Sequence, residues 1–490
     1  MTSRLVLALA LGLTGCAYFE AQPEIAPDRY APAAPSEPWS SAARTDGEYA
    51  IPVAARAPDR VPEPRPSTSP PGGPTYNLPH LIDIALANNP DTHAAWERAR
   101  SAAAAYGASR AAYYPTASAQ MPAGYSRELE ELPRDSAVLK KWYAEPTLQL
   151  TYLLLDFGRR SAEDEMFRQQ LAAANFAFNR TLQTVVFQTQ RASYALAAAK
   201  AGVVAAEQNL ELARTDDRAV EQRVELGLAT QPALLLSRAR VAQSQFDLAN
   251  ARLFVREAQA NLALAIGVAA NAPFEVENLD TQRIPASFTV DVDQLIADAL
   301  RQRPDLAAQV ASLNARDAGI DRARAAFYPS VDARANYGEQ IWSYQFQGPP
   351  TQDPTQPQYG GQITLTWDLF TGFKRQNLLR QAQADRAAAV AALQSGELGA
   401  IAEVWRAYYE FESTKEKYAA AEALLAASQE AHAANLETYR NGLSTIVELL
   451  TADRDLANAR FAMIQSTADL LTASAAVTYA IGAVETPKRP

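Results

Sequence analysis

From Thr371-Gly372 the chain runs to Asn441-Gly442 with only Gly396 and Gly399 as interior glycines and no proline, turns, and runs on to Ile481-Gly482. As helix, the first arm of about 68 residues would be roughly 100 Å long. Along the second arm Leu456, Met463, Leu470 and Val477 step by seven, and Ala459, Ser466, Ala473 and Ala480 follow them at three. In the first arm Phe411, Tyr418 and Leu425 keep the same step. A seven-residue apolar repeat predicts helices packed lengthwise, with one large and one small side chain per heptad. A soluble coiled-coil dimer has the same period, so the period alone does not fix what the rods do.

The pattern occurs twice. Subtracting 215 recovers Val241, Leu248, Val255 and Leu262 at the large positions and Ser244, Ala251, Ala258 and Ala265 at the small ones. Leu196, Val203 and Leu210 answer Phe411, Tyr418 and Leu425, and Gly227 and Gly267 answer Gly442 and Gly482. Internal duplication constrains a fold more than any local motif. It predicts a first repeat over 77–270 with a helical hairpin at 158–267, and a second over 291–483 with one at 372–482. An inter-repeat linker fills 271–290 and a tail fills 484–490. Gly227 and Gly442 mark the helical turns.

Ahead of each rod the period changes. Leu81 to Leu86 and Leu295 to Leu300 read as short amphipathic helices, and Pro90 and Pro304 open a second helix where a first turn tolerates proline. Tyr113-Tyr114-Pro115 and Phe327-Tyr328-Pro329 end it. Then the alternation becomes two. Val331, Ala333, Ala335 and Tyr337 alternate with Asp332, Arg334 and Asn336, and Ile363, Leu365, Trp367 and Leu369 with Thr364, Thr366 and Asp368. A Gln-, Pro- and Gly-rich loop through Gly361 is expected between them. In the first copy Leu148, Leu150, Tyr152 and Leu154 form the matching strand, preceded by a weaker one from Thr116 to about Tyr125 that contains Pro122. Strand hairpins are therefore expected at about 114–156 and 329–370. Such segments suit a membrane β-barrel wall, although two soluble hairpins packed on a core would alternate similarly. Four strands cannot close a barrel, and an open edge facing lipid would leave backbone groups unsatisfied. If the strands cross a membrane, several chains must pool them.

Composition narrows the class. Residues 1–15 read as a signal peptide, with Arg4 ahead of the apolar run Leu5 to Leu13. Cys16, directly after Leu13-Thr14-Gly15, is the one cysteine, so no intrachain disulfide forms. Residues 17–76 hold 13 of the 30 prolines and predict an extended tether, taken as 16–76 with the cysteine, rather than helix or central strand. No later run has the ~20 apolar residues of a membrane helix. A net charge of -10 argues against a nucleic-acid partner. His80, His93 and His432 are scattered, so no metal site is read, and no phosphate loop or nucleophile motif implies a cofactor or an enzyme. The Asp and Glu residues on the rods are read as solvated faces.

Arg301-Gln302-Arg303-Pro304-Asp305, followed by Ala323 to Ser330, resembles the outer membrane efflux protein family. Leu154 to Gly158, its partner Trp367 to Gly372, and Tyr439-Arg440-Asn441-Gly442 leading to Glu448-Leu449-Leu450 carry the same resemblance, which covers 78–483. Leu-Thr-Gly-Cys resembles a bacterial lipobox, which would make Cys16 the lipidated first residue of the mature chain. The resemblance implies a mainly α, TolC-like fold. Long coiled-coil helices form an α-barrel, and each chain gives four strands to one trimeric outer-membrane β-barrel. It implies a homotrimer anchored in outer-membrane lipid and reaching into the periplasm of a Gram-negative cell. A periplasmic adaptor and an inner-membrane pump would be its partners.

By the same resemblance the function is a passive exit duct of a tripartite efflux system for small toxic molecules such as drugs. The alternatives are the duct of a type I protein secretion system and a structural periplasmic coiled-coil lipoprotein without a pore. The family closes its tunnel near the helical turn, which makes Tyr439, Arg440 and Glu448 gate candidates. Thr451, where relatives often carry a second acid, and Ala233, the first-copy equivalent of Glu448, depart from that pattern. A packing aromatic at Tyr439 and a helix-end carboxylate at Glu448 are the plainer readings.

Overall fold

The computed structural model describes residues 31–39, 75–132, 135–272, 274–279, 291–346 and 355–483. Cys16, the signal segment, most of the Pro-rich tether and the tail lie outside the described residues. Each copy begins with an 11-residue helix, α1 (Leu78–Asn88) or α5 (Val292–Gln302). A second helix follows, α2 (Pro90–Ser109) or α6 (Pro304–Ala325). After the strands come α3 (Arg159–Glu225) and α7 (Lys374–Arg440), each of 67 residues, then α4 (Gln231–Ala265) and α8 (Ile446–Ala480), each of 35. Equal lengths in both copies are what an offset of 215 requires.

All four long helices stop in one way. Gly227, Gly267, Gly442 and Gly482 have φ between 71° and 76°. The N–H of the next residue reaches back five, from Leu228 to Arg223 O at 2.7 Å and from Leu443 to Thr438 O at 2.9 Å. This closure satisfies carbonyls that the helix end would orphan, and a left-handed residue is needed to make it. The predicted turn glycines therefore have a backbone reason.

The chain divides into two compact units, and neither coincides with a repeat: one holds Arg100–Ala173 and Gln309–Leu393, the other Pro32–Ala99, Ala174–Ala308 and Gln394–Pro490. In the second unit the heptad seams are buried. Leu81, Ile82 and Leu86 of α1 pack against Phe178, Leu182 and Leu196 of α3 and Leu262 of α4. The second copy repeats this with Leu295 and Ala299 of α5, Val404 and Phe411 of α7, and Leu470 and Val477 of α8. Where α1 meets α2, Asn89 donates from Nδ2 to Ala265 O at 2.9 Å. Arg303, its equivalent between α5 and α6, donates from Nη1 to Ala480 O at 2.9 Å. Each junction thus caps the end of a long helix. The described part of the N-terminal arm docks in this unit: Trp39 exchanges two hydrogen bonds with Asn179, at 2.7 and 2.8 Å, and Trp96 Nε1 donates to Pro32 O at 2.9 Å. A two-residue parallel bridge joins β1 (Thr75–Tyr76) to β6 (Glu275–Val276) inside the expected linker.

The other unit carries the sheet. Its strands are β2 (Thr116–Gln120), β3 (Ala123–Leu132), β4 (Asp135–Ala144), β5 (Thr147–Leu155), β7 (Ser330–Phe346) and β8 (Thr355–Thr366). Two breaks are proline breaks. Pro122 separates β2 from β3, and Pro146 separates β4 from β5, because proline has no N–H to give a ladder. The ladder is carried across by Glu145 N to Pro122 O at 2.9 Å and Glu339 N to Pro146 O at 3.1 Å. Counted through the breaks, the sheet has four antiparallel lanes: β2–β3, β4–β5, β7 and β8. Two expectations are corrected. The first lane continues past Tyr125 to Leu132, and the stretch read as a loop through Gly361 is strand to Phe346 and again from Thr355. Ser126 to Leu132 and Thr355 to Gly361 lack alternation, so no apolar period marked them, whereas the alternation of Trp342, Tyr344 and Phe346 with Ser343 and Gln345 was a sign left unread.

Candidate functional site

The sheet is sided. Residues directly opposite each other across an antiparallel pair share a face. Ala119, Leu148, Tyr337 and Tyr359 stand in one row, and Ala117, Leu150, Ala335 and Gly361 in the next of the same face. Tyr152, Ala333 and Ile363 continue it. The opposite face carries Ser118, Gln149 and Asn336, then Thr116, Thr151, Arg334 and Gln362. On the apolar face Tyr359 is 79% and Ile363 72% exposed. A sheet in water covers its apolar face with another layer. Among the described residues nothing covers that face, which suits a barrel wall in lipid.

Aromatic side chains gather where strands give way to helices. Phe157 stacks on Tyr328 with centroids 5.5 Å apart, Phe370 meets Phe373 edge to face at 5.5 Å, and Trp367 Nε1 donates to Phe327 O at 3.2 Å. Amphipathic rings at this level suit a membrane–water boundary. Two arginines clamp the junctions at equivalent places. Arg160 donates to Leu153 O at 2.8 Å and lies over Tyr113, and Arg375 donates to Leu369 O at 3.3 Å and lies over Phe327. The sequence reading missed this pair, although the offset of 215 marks it.

In the other unit, the turn between α7 and α8 holds the predicted gate residues. Tyr439 is buried with Val220, Ala233, Leu234 and Leu449. Arg223 of α3 lies 4.7 Å from its ring centroid and donates to its carbonyl at 2.8 Å. This is the packing-aromatic reading, and Arg223 is a partner the sequence did not disclose. Arg440 is exposed. Glu448 is exposed and closes a capping box on α8: it accepts from Thr445 N at 3.1 Å, and its own N–H donates to Thr445 Oγ1 at 3.3 Å. Thr451 donates to Val447 O at 2.7 Å.

Reading the rod carboxylates as solvated fails at two positions. Asp216 of α3 and Asp453 of α8 are 5% and 3% exposed. The signal was present: Asp453 lies in the stripe Leu449–Asp453–Leu456, and Asp216 in Ala213–Asp216–Val220. His432 Nε2 of α7 comes within 2.9 Å of Asp453 Oδ1. The other histidines lie apart, His80 stacked on Tyr76 and His93 against Ala87 O. Among the described residues no three His, Cys, Asp or Glu side chains are arranged to hold a metal ion, and no helix is long and apolar enough to cross a membrane.

A family model described as "Outer membrane efflux protein" matches residues 81–268 and 295–483, one match per copy. The chain belongs to the outer membrane efflux protein family. Protein CyaE of Bordetella pertussis is 29% identical over 412 residues, covering 83% of this chain and 84% of that one. The probable efflux pump outer membrane protein TtgC of Pseudomonas putida is 25% identical over 423 residues, covering 83% and 82%. Among solved structures, the outer-membrane channel OprN aligns with a TM-score of 0.72 at 21% identity, over 84% of this chain and 91% of that one. The Campylobacter jejuni CmeC outer membrane channel aligns with a TM-score of 0.72 at 19% identity, over 84% and 87%. The fold is thus mainly helical and TolC-like, and the protein is an outer-membrane efflux channel component rather than a coiled coil without a pore.

Proposed function

We propose that three copies pool their sheets into one outer-membrane barrel of about twelve strands, and that α3, α4, α7 and α8 form the periplasmic part of the same duct. The duct is passive. An inner-membrane pump drives transport through a periplasmic adaptor, and the cargo is small toxic molecules. The observation that carries this reading is the four-lane sheet with a bare apolar face and, among the described residues, no partner on the outer edges of β2–β3 and β8. Backbone groups on such edges must be paired before they enter lipid. Lipid on Cys16 is a second anchor, not the sole one. A Cys16→Ala variant, exported with a cleavable signal, is expected to stay in the outer-membrane fraction after an alkaline wash. Its appearance in the soluble periplasmic fraction would remove the wall.

Glu448 is proposed as the carboxylate that three copies present around the threefold axis near the turn. Like charges in a ring favour cations. Alanine there would also remove the capping box, whereas glutamine keeps the cap and deletes the charge. Glu448→Gln channels in planar bilayers are therefore expected to lose cation preference severalfold with trimer stability unchanged. Identical reversal potentials for wild type and variant would take Glu448 out of the ring.

A further inference from the structure

Three helices deliver Asp216, His432 and Asp453 to one buried point. The two buried carboxyl groups face each other closely enough that Asp453 raises Asp216. Both are acceptors when ionised, so they can bond to each other only when one holds a proton. Without that proton Asp216 Oδ2 and both oxygens of Asp453 have no donor. His432 does not supply one, since its close approach to Asp453 is not an aligned hydrogen bond. Burial pushes the imidazole below its ordinary value, against the pull of Asp216.

His432 and the arginines around the pair offset its burial only in part. Arg440 of α7 faces Asp216, and Arg240 of α4 faces Asp453. Arg460 of α8 faces His432, and its Nη1 donates to Asn209 Oδ1 on α3 at 2.7 Å. The neighbouring Asp217 is turned away and takes the Ser237 hydroxyl.

We propose that Asp216 and Asp453 form a proton-held latch between α3 and α8, tight while the pair shares one proton and slack once both are ionised. Burial, then the adjacent Asp453, pushes Asp216 up to about 7, and burial raises Asp453 as well. The sign follows from proton linkage. A carboxyl raised in the folded chain contributes its full stability below the ordinary carboxylate range, and that contribution is lost as pH rises through about 7. The helices should therefore hold together most firmly in a mildly acidic periplasm and loosen in an alkaline one. The latch goes beyond the duct reading and does not depend on it, because its readout is helix packing, not conduction.

The test is hydrogen–deuterium exchange on the intact protein in detergent at pH 6 and pH 8, corrected for the intrinsic pH dependence of exchange. Protection over 209–220 and 449–460 is expected to fall roughly tenfold or more at the higher pH. Asp216→Asn donates to Asp453 without titrating, so its protection should stay level. Asp453→Asn offers the same arm should the first variant not assemble. Level protection in the wild type, or variants that keep the wild-type pH dependence, would overturn the latch.

Discussion

Replacing Arg303 by methionine is expected to raise amide exchange across 295–308 and 476–483 roughly a hundredfold, the consequence of losing about 3 kcal/mol. Arg303 is 5% exposed and its guanidinium serves three acceptors. It lies 2.7 Å from Asp305 Oδ2, 2.6 Å from Glu403 Oε2 and 2.9 Å from Ala480 O. Methionine fills much of the same volume and satisfies none of them. Removing one partner of a buried ion pair costs about 3–5 kcal/mol. The lower end applies, because Asp305 and Glu403 keep about a third of their side-chain surface in water and Arg180 stays 3.8 and 3.7 Å from them. Burial pulls Asp305 up, but Arg303 and Arg180 hold it below its ordinary value. Its contribution is therefore present above the ordinary carboxylate range and is lost as pH falls through the lowered value. The penalty of Arg303→Met should shrink in acid for that reason. Arg303→Lys, with its charge but no fork, should fall between the two. Exchange in Arg303→Met within about threefold of wild type would show that the cluster does not hold the junction.

The same residue marks how far the sequence could be read. The duplication fixed Arg303 as the counterpart of Asn89, and the equivalent carbonyls Ala265 O and Ala480 O follow from it. Seams of large and small residues gave the rods, because a long helix must keep one face on its neighbours for its whole length. Strand lanes were legible only where one face is apolar and the other polar, as at Leu148 to Leu154. At Glu128 to Leu132 and Thr355 to Gly361 the period is absent, so the ladder there had no signature. The latch was harder. Asp216, His432 and Asp453 come from three helices, the first more than two hundred residues from the others, and only contact across the bundle joins them. A charged residue within a buried stripe was the available sign, and the usual rule for rod carboxylates overrode it.

The duct stands or falls on the outer edge of β8, and a pair of proline variants reads that edge directly. In an antiparallel strand the N–H groups of successive residues point alternately to one neighbour and to the other. Ile363 and Thr364 are successive residues in β8, opposite Ala333 and Asp332 of β7. One of the two positions therefore gives its N–H to β7, and the other gives it to the outer edge. Proline is tolerated on an edge strand when the lost N–H faces solvent, and not when it faces a partner. In a closed barrel both sides of β8 have partners, so Ile363→Pro and Thr364→Pro are both expected to lose the cross-linkable trimer, by roughly tenfold or more in yield. In a chain that keeps its sheet to itself, only one of them would be harmed. Ile363→Val, which keeps the N–H and the apolar face, should assemble like the wild type. A full yield of trimer from the variant whose lost N–H points away from β7 would mean that the outer edge has no neighbour, and three open sheets do not make a wall that holds back lipid.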